Sequence, residues 1–484
     1  MRTMKMSVVM SAAAGMLCAF AAPGNEIRLS VDPAAECGRI KPMNAVNNGP
    51  AIPPVAGDQP RGNFLAYKQA KLPYARLHDS VNCVSGGAKT VDVTAIFSDF
   101  DADETDPANY DFTFTDLYLK TIQDAGTKVF YRLGQTIEHG PKKYGIVPPK
   151  DFAKWARICE HIIRHYTEGW ADGFKWDIEY WEIWNEPDLD AENDGWKKHP
   201  RTWKGTEEQF FEFYATAAKH LKSKFPHLKI GGPAVAGNKR WELKFLSYMR
   251  ERNVPIDFYS WHVYANTTHI PADKATVVRG WLDEAGYKDT ESILNEWNYV
   301  EGWGMDFLYT LRTQSGDQNL KSAAFVAGVF CACQDRPVDM LMYYDARANS
   351  VMNGMFERVT LWPMKGYYPF VCWSKLAELG TQVKTDFSGV KPDQYGDINL
   401  RSTAAKGADG KLAVFVSRYN RDNNAVMPEK VLFCAPAGYS FDKARCHLTD
   451  MAHVHTEVPF ELAADGSALL RMEPLSFALI EFDR

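Results

Sequence analysis

The stretch Tyr180-Trp181-Glu182-Ile183-Trp184-Asn185-Glu186-Pro187-Asp188 alternates apolar and polar side chains, then stops at an acidic residue followed by proline. Alternation with a period of two is the mark of a β-strand. Pro187 has no N–H to give a ladder, so the strand is predicted to end at Glu186. A side chain at such an end points out of the sheet edge. A second stretch, Ser292-Ile293-Leu294-Asn295-Glu296-Trp297-Asn298, has the same form: a short apolar run ending in an Asn-Glu pair. A lone Asn-Glu at a strand end is most often a solvated loop start. Two of them, each rich in tryptophan, face one another if both strands end at the same rim of one closed sheet.

The surrounding pattern supplies that sheet. Candidate strands run from Ile40 to Val46, Tyr74 to Asp79, Lys128 to Gly134, through the opening stretch, and then over Lys229 to Ala234, Ile256 to Tyr264, the second Asn-Glu stretch, and Met340 to Asp345. Helical runs lie between them. Asp151 to Tyr166 carries apolar residues near helical period, and Thr206 is a good N-cap for Glu207 to Phe225, which stops before Pro226. Asn319 to Cys331 and Pro369 to Leu379 read as further helices. Eight strands alternating with helices predict an α/β fold, a (β/α)₈ TIM barrel over residues 39–380, with chemistry at the C-terminal strand ends. An open doubly wound sheet would not bring the fourth and seventh strand ends face to face as readily. Beyond Gly380 the pattern changes to short strands with hairpin signals at Asp409-Gly410 and Asp465-Gly466, predicting an accessory C-terminal β-sandwich over 381–484. Ile27 to Val31, within 22–38, reads as an N-terminal strand joining that sandwich.

The chain has 484 residues, enough for more than one core, since single cores split near ~250–300 residues. Its net charge of −6 argues for no charged partner and against a nucleic-acid binder. Arg2 and Lys5 precede an apolar run from Val8 to Phe20, and Ala19-Phe20-Ala21 fits a cleavage site, so residues 1–21 read as a signal peptide of an exported periplasmic or extracellular protein. Cys18 leaves a lipid-anchored surface form as the minor alternative. No later segment is long and apolar enough to span a membrane. The nine cysteines show no zinc spacing, so no metal and no cofactor are expected. Cys331 and Cys333 read as core residues, and Cys434 and Cys446 as a pair able to bridge.

Two carboxylates at one rim suit glycoside hydrolysis, which needs a protonated acid on the leaving oxygen and an ionised carboxylate beneath the anomeric carbon. The strings Trp181–Asp188 and Leu294–Asn298 resemble the acid/base motif and the nucleophile strand of glycoside hydrolase family 39. Known members include β-xylosidases and α-L-iduronidases, and they act with retention. The resemblance implies Glu186 as acid/base and Glu296 as nucleophile. It implies that Arg76, in an Arg-x-His pattern, keeps Glu296 ionised while His78 faces the sugar. His262 and Tyr264 match the family's His-x-Tyr, with the tyrosine hydroxyl on the nucleophile, and Asn185 matches a donor to the sugar 2-hydroxyl. Trp297, Trp303 and Trp196 are candidate sugar platforms. The eighth strand departs from the family: Asp345-Ala346-Arg347 stands where members carry a Phe-Glu-Glu-like stretch, so Asp345 is expected to take only part of that role. Arg347 or Lys365 would serve a uronic acid.

The expected function is retaining hydrolysis of a terminal glycosyl residue from a plant- or host-type glycan by double displacement, β-xylosidase-like, on an oligosaccharide or glycoside substrate. Other exo-glycosidases of the clan (arabinosidase, galactosidase, uronidase) are the alternatives within enzymes. A non-catalytic glycan-binding protein is the alternative from another class. Sugar, linkage and oligomeric state stay open.

Overall fold

The computed structural model describes residues 26–51, 62–78, 90–137, 142–143, 145–303, 308, 319–348, 350 and 352–483. The expected signal peptide, with Asp79 and Cys18, lies outside the described residues. Eight parallel strands close into a barrel in chain order: β2 Ala45–Asn47, β3 Tyr74–Arg76, β4 Lys128–Leu133, β5 Tyr180–Ile183, β6 Lys229–Val235, β7 Phe258–Ala265, β8 Glu291–Tyr299 and β9 Met340–Tyr343. A helix follows each: α1 Phe64–Gln69, α2 Thr113–Asp124, α3 Phe152–Thr167, α4 Glu207–Lys224, α5 Lys239–Glu251, α6 His269–Glu284, α7 Leu320–Gln334 and α8 Tyr368–Leu379. The predicted barrel is therefore present.

Several strand limits differ from expectation: the second strand stops at Arg76 and not Asp79, the sixth starts at Phe258 and not Ile256, and the eighth stops at Tyr343 and not Asp345. The first strand is Ala45–Asn47, because Ile40 is bonded to Gly380 O at the barrel's base instead of to a neighbouring barrel strand. The fourth ends at Ile183, not Glu186, because Trp184 and Glu186 take positive φ of 74° and 48° and leave the ladder.

Helix starts follow their caps. Thr206 and Gln209 form a reciprocal capping box at α4, and the Asp151 and Asn238 side chains accept the N3 amides of α3 and α5. Inside the barrel, period-two alternation sorts side chains into layers. Ala45, Phe130, Tyr180, Phe258, Ile293, Met340 and Met342 form an apolar plug at the base. Two residues further along the strands the interior turns polar and stays buried: Asn47, Arg76, Arg132, Glu182, Ser260 and Asn295. The barrel thus narrows the chemistry to its C-terminal mouth.

The remaining strands are β1 Ile27–Arg39, β10 Thr381–Ser388, β11 Leu400–Lys406, β12 Leu412–Tyr419, β13 Glu429–Phe433, β14 Ala444–Thr449, β15 Thr456–Val458, β16 Glu461–Leu462, β17 Ala468–Met472 and β18 Leu475–Phe482. They form one ten-stranded sheet in the order β15-β14-β18-β12-β11-β10-β1-β13-β17-β16. Leu29, Val383, Val414, Phe433, Leu470 and Ile480, from strands spread across that order, meet in one apolar core, so the sheet curls upon itself and its two halves make the layers of the sandwich. β1 is central, antiparallel to β10 and parallel to β13. Both hairpin signals are turns, joining β11 to β12 and β16 to β17.

The outer face of β12 and β18, through Ala413, Phe415, Phe477 and Leu479, joins the barrel's helical core. Helix α7 is caught between barrel and sheet and is buried on every side. That explains its run of Ala, Val, Phe and Cys, with Cys331 and Cys333 in the core. Cys434 and Cys446 do not bridge: both are free thiols. They belong to regions of the sheet six strands apart in order, Cys446 facing the core from β14 and Cys434 lying beside Arg28 after β13. Among the described residues no helix is long and apolar enough to cross a membrane.

Candidate active site

The strand ends bring Glu186, His262 and Glu296 together: one donor atom from each lies within 4.8 Å of the other two. Each comes from a different strand. Glu186 follows β5, His262 is on β7, and Glu296 is on β8. Glu296 reaches the interior through a register slip. Trp261 pairs with Leu294 but His262 pairs with Glu296, so Asn295 is an extra residue in the ladder. Such a bulge re-aims side chains, and here Asn295 and Glu296 both point inward.

Glu296 is held by several groups. Arg76 Nη1 donates to Oε1 at 2.8 Å and the Tyr264 hydroxyl donates to Oε2 at 2.9 Å. His78 Nε2 lies 3.3 Å from Oε1, and His262 Nδ1 lies 3.5 Å from Oε2. Burial raises the carboxyl's pKa, but the charges of His262, His78 and Arg76 outweigh it and hold Glu296 at about 2.

Glu186 stands in the opposite balance. His262 Nδ1 lies 2.8 Å from its Oε1. Burial is the largest influence, and with the negative charges of Glu296 and Asp188 it overcomes the histidine and pushes the carboxyl above its ordinary range. The backbone around it is pinned: Glu186 N–H donates to Ala234 O at 2.8 Å, and the Thr202 hydroxyl donates to Glu186 O. Asp188 accepts the amides of Ala236, Gly237 and Asn238, tying the β5 end to the start of α5. His262 is drawn upward in pKa by its two glutamates, against burial.

Arg76 organises the floor. Besides Glu296 it binds Glu182 Oε2 at 2.6 Å, Asn47 Oδ1 at 3.0 Å and Asn185 Oδ1 at 2.6 Å, and it is fully buried. Glu182 in turn accepts from Ser260 and Asn295. Sequence reasoning missed Glu182, Ser260, Asn295, Asn47, Thr202 and Asp188. The signal available for Glu182 was its parity: it shares a face with Tyr180, so a charge was bound to lie inside the barrel. Among the described residues, the buried Asn185 Nδ2 and His262 Nε2 have no hydrogen-bond partner. Buried unpaired polar atoms are costly, and a bound ligand can satisfy them.

Three expectations are corrected. Trp297 is no sugar platform. It is fully buried on the outer side of β8 against Phe325, Phe330 and Tyr343, because consecutive strand residues point to opposite faces and Glu296 has taken the inner one. His78 is brought to the site, its Nε2 3.3 Å from Glu296 Oε1. Asp345 is wholly buried, accepts from Asn48 at 2.9 Å and lies 3.4 Å from Arg347 Nε. It acts on the site through Asn48, whose Oδ1 accepts the His78 amide. Lys365 is held by the carbonyls of Asp450 and Met451, in the turn after β14. Trp196 is half-buried beneath Lys197, and Trp303 is exposed beside Tyr264.

The Glu186–His262–Glu296 triad has donor spacing that a metal ion would accept. The residues around it do not fit one: Arg76 and Tyr264 already occupy both oxygens of Glu296, and a guanidinium at 2.8 Å opposes a divalent cation.

The model of glycosyl hydrolases family 39 matches residues 29–278. A β-xylosidase of Geobacillus stearothermophilus is 29% identical over 195 residues, 38% of this chain and 36% of its own length. A β-xylosidase of Caldicellulosiruptor saccharolyticus is 29% identical over 198 residues, 39% of this chain and 37% of its own. The matched region thus spans little more than a third of these relatives. A glucosidase structure from Croceicoccus marinus superposes with a TM-score of 0.71 at 21% identity, covering 95% of this chain and 99% of that one, which is a likeness of fold.

Proposed function

Because this chain belongs to glycosyl hydrolase family 39, we propose that it is a retaining glycoside hydrolase that removes a terminal sugar, β-xylosidase-like, from a plant- or host-type glycan. The observation that carries the reading is the pair of carboxylates, Glu186 and Glu296, with oxygens within 4.8 Å and pKa values pushed apart. Carboxyl groups about 5–5.5 Å apart go with retention, and about 6.5–9.5 Å with inversion. Opposed pKa values assign acid and base between two like residues.

In the first step the Glu296 carboxylate attacks the anomeric carbon and the bond to the leaving oxygen breaks. The Glu186 proton passes to that oxygen, and a glycosyl ester of Glu296 forms. Arg76 and Tyr264 align the carboxylate, and the Asn185 donor is left for the sugar. Once Glu296 is esterified, its charge no longer holds up the Glu186 pKa. Glu186, now ionised, takes a proton from water, whose oxygen attacks the anomeric carbon and displaces Glu296 as carboxylate. The leader-like residues 1–21 fit action outside the cytoplasm.

The test is a panel of aryl glycosides (xyloside, arabinosides, galactosides, glucoside, glucuronide) with wild type and Glu296→Ala side by side, and NMR of the first-formed anomer. Hydrolysis of one glycoside with retained configuration, lost in the variant, is expected. An inverted first product, or undiminished activity in Glu296→Ala, would overturn the mechanism. Binding without turnover on every glycoside would favour a glycan-binding protein.

A further inference from the structure

Trp303 follows β8 and is 72% exposed, whereas the reacting groups are buried: Glu186, the most open of them, is 8% exposed. The indole is nonetheless tied to the site. Its ring centroid lies 5.2 Å from that of Tyr264, at 85°, and Tyr264 donates to Glu296. The segment before it is anchored to the end of β7. Val300 N–H donates to Ala265 O at 3.0 Å, Asn266 Nδ2 donates to Glu301 O at 3.1 Å, and the Tyr299 hydroxyl bonds the Glu301 side chain. Thus an apolar plate stands at the rim of a polar pocket, edge-to-face with a ring that touches the nucleophile.

We propose that Trp303 forms the leaving-group subsite, its indole face stacking on the sugar ring that departs. This rests on the hydrolytic reading above. The terminal sugar must reach Glu296 and Glu186 and so sits below the rim among buried groups. The part of the substrate at the level of an exposed side chain beside Tyr264 is then the aglycone. The indole face offers that ring a flat apolar surface, which suits the C–H face of a pyranose, while its one donor, Nε1–H, lies at the ring edge. The substrate class that follows is an oligosaccharide, with a carbohydrate leaving group.

The test uses two substrates with the same terminal sugar and anomeric configuration, a disaccharide and a glycosyl fluoride, whose small leaving group cannot reach Trp303. Trp303→Ala is expected to lower kcat/KM on the disaccharide about tenfold, mostly through KM, and to leave the fluoride nearly unchanged. Trp303→Phe, which keeps a stacking face, is expected to restore most of the loss. Equal losses on both substrates, or no loss on the disaccharide, would overturn the assignment. A wild-type protein inert on both would overturn the hydrolytic reading and this inference with it.

Discussion

The same dipeptide, Asn-Glu, follows β5 and runs through β8, and the two copies are built differently. After β5 the chain leaves the ladder: Trp184 and Glu186 take left-handed backbone, and the Ala234 carbonyl, accepting the Glu186 amide, and the Thr202 hydroxyl, donating to the Glu186 carbonyl, pin the turn. In β8 the strand continues to Tyr299 and absorbs Asn295 as an extra residue, so that Asn295 and Glu296 both face inward. The surroundings then diverge. Glu186 meets one histidine and the field of two carboxylates, while Glu296 meets two histidines, an arginine and a tyrosine hydroxyl. Residue type does not separate an acid from a carboxylate here; the count and sign of neighbours from other strands does.

The largest effect expected from breaking this asymmetry is on the β8 side. Glu296→Ala is expected to lower kcat on an aryl glycoside on the order of 10⁴-fold or more. Azide should restore part of the rate with a product of inverted configuration, and retained configuration in the rescued product would refute a covalent ester at this position. On the β5 side, Glu186→Gln is expected to cost about 10²–10⁴-fold when the leaving group is a sugar. With a dinitrophenyl leaving group, which needs no proton, the first step should be nearly spared. Wild-type activity should fall as pH rises through the raised Glu186 pKa, and that limb should vanish in Glu186→Gln. Survival of the limb would assign it to another group.

The barrel was legible because its strands are short apolar runs with polar ends, repeated with helices between, and parallel order in a closed sheet leaves one rim for those ends. That Glu186 and Glu296 meet there follows from topology. What surrounds them was less legible, because each partner arrives from a different strand. Glu182 looks like one polar residue in an alternating stretch, and its role as counter-charge to Arg76 needs β3, β7 and β8 in place. The reading of Trp297 as a platform failed on a point the sequence already contained. Adjacent strand residues cannot both face inward without a bulge between them, so an inward Glu296 sends Trp297 outward. The bulge itself, at Asn295, leaves no mark in the local pattern.

Arg76 touches both ends, through Asn185 and Glu296, and its removal should shrink their difference. Arg76→Met leaves Glu182 and Glu296 buried without their cation, which is expected to cost about 3–5 kcal/mol in thermal or denaturant unfolding. The Glu296 pKa should also rise from about 2. Because that pKa lies below its ordinary 4.5, the ionised Glu296 adds stability at pH values above 4.5, and this is lost as pH falls towards about 2. In the variant the loss should begin at higher pH and the acidic limb of activity should move up with it. An unmoved acidic limb would show that His262 and His78 suffice to hold Glu296.

The two asparagines give the finest test. Asn295 spends its amide on Glu182, beneath the site, whereas Asn185 gives its oxygen to Arg76 and keeps an unpaired Nδ2. Asn295→Ala therefore removes a donor from a buried carboxylate and is expected to cost about 1–3 kcal/mol of stability, with KM little altered. Asn185→Ala takes one acceptor from Arg76, so some stability goes with it, but its larger effect should fall on kcat, because the donor it removes is engaged only when a sugar is bound. Measured as unfolding midpoint against kcat for both variants, the two should lie on opposite sides of the diagonal. Should they fall together, the unpaired amide of Asn185 is not reserved for substrate, and the two Asn-Glu ends differ in their glutamates alone.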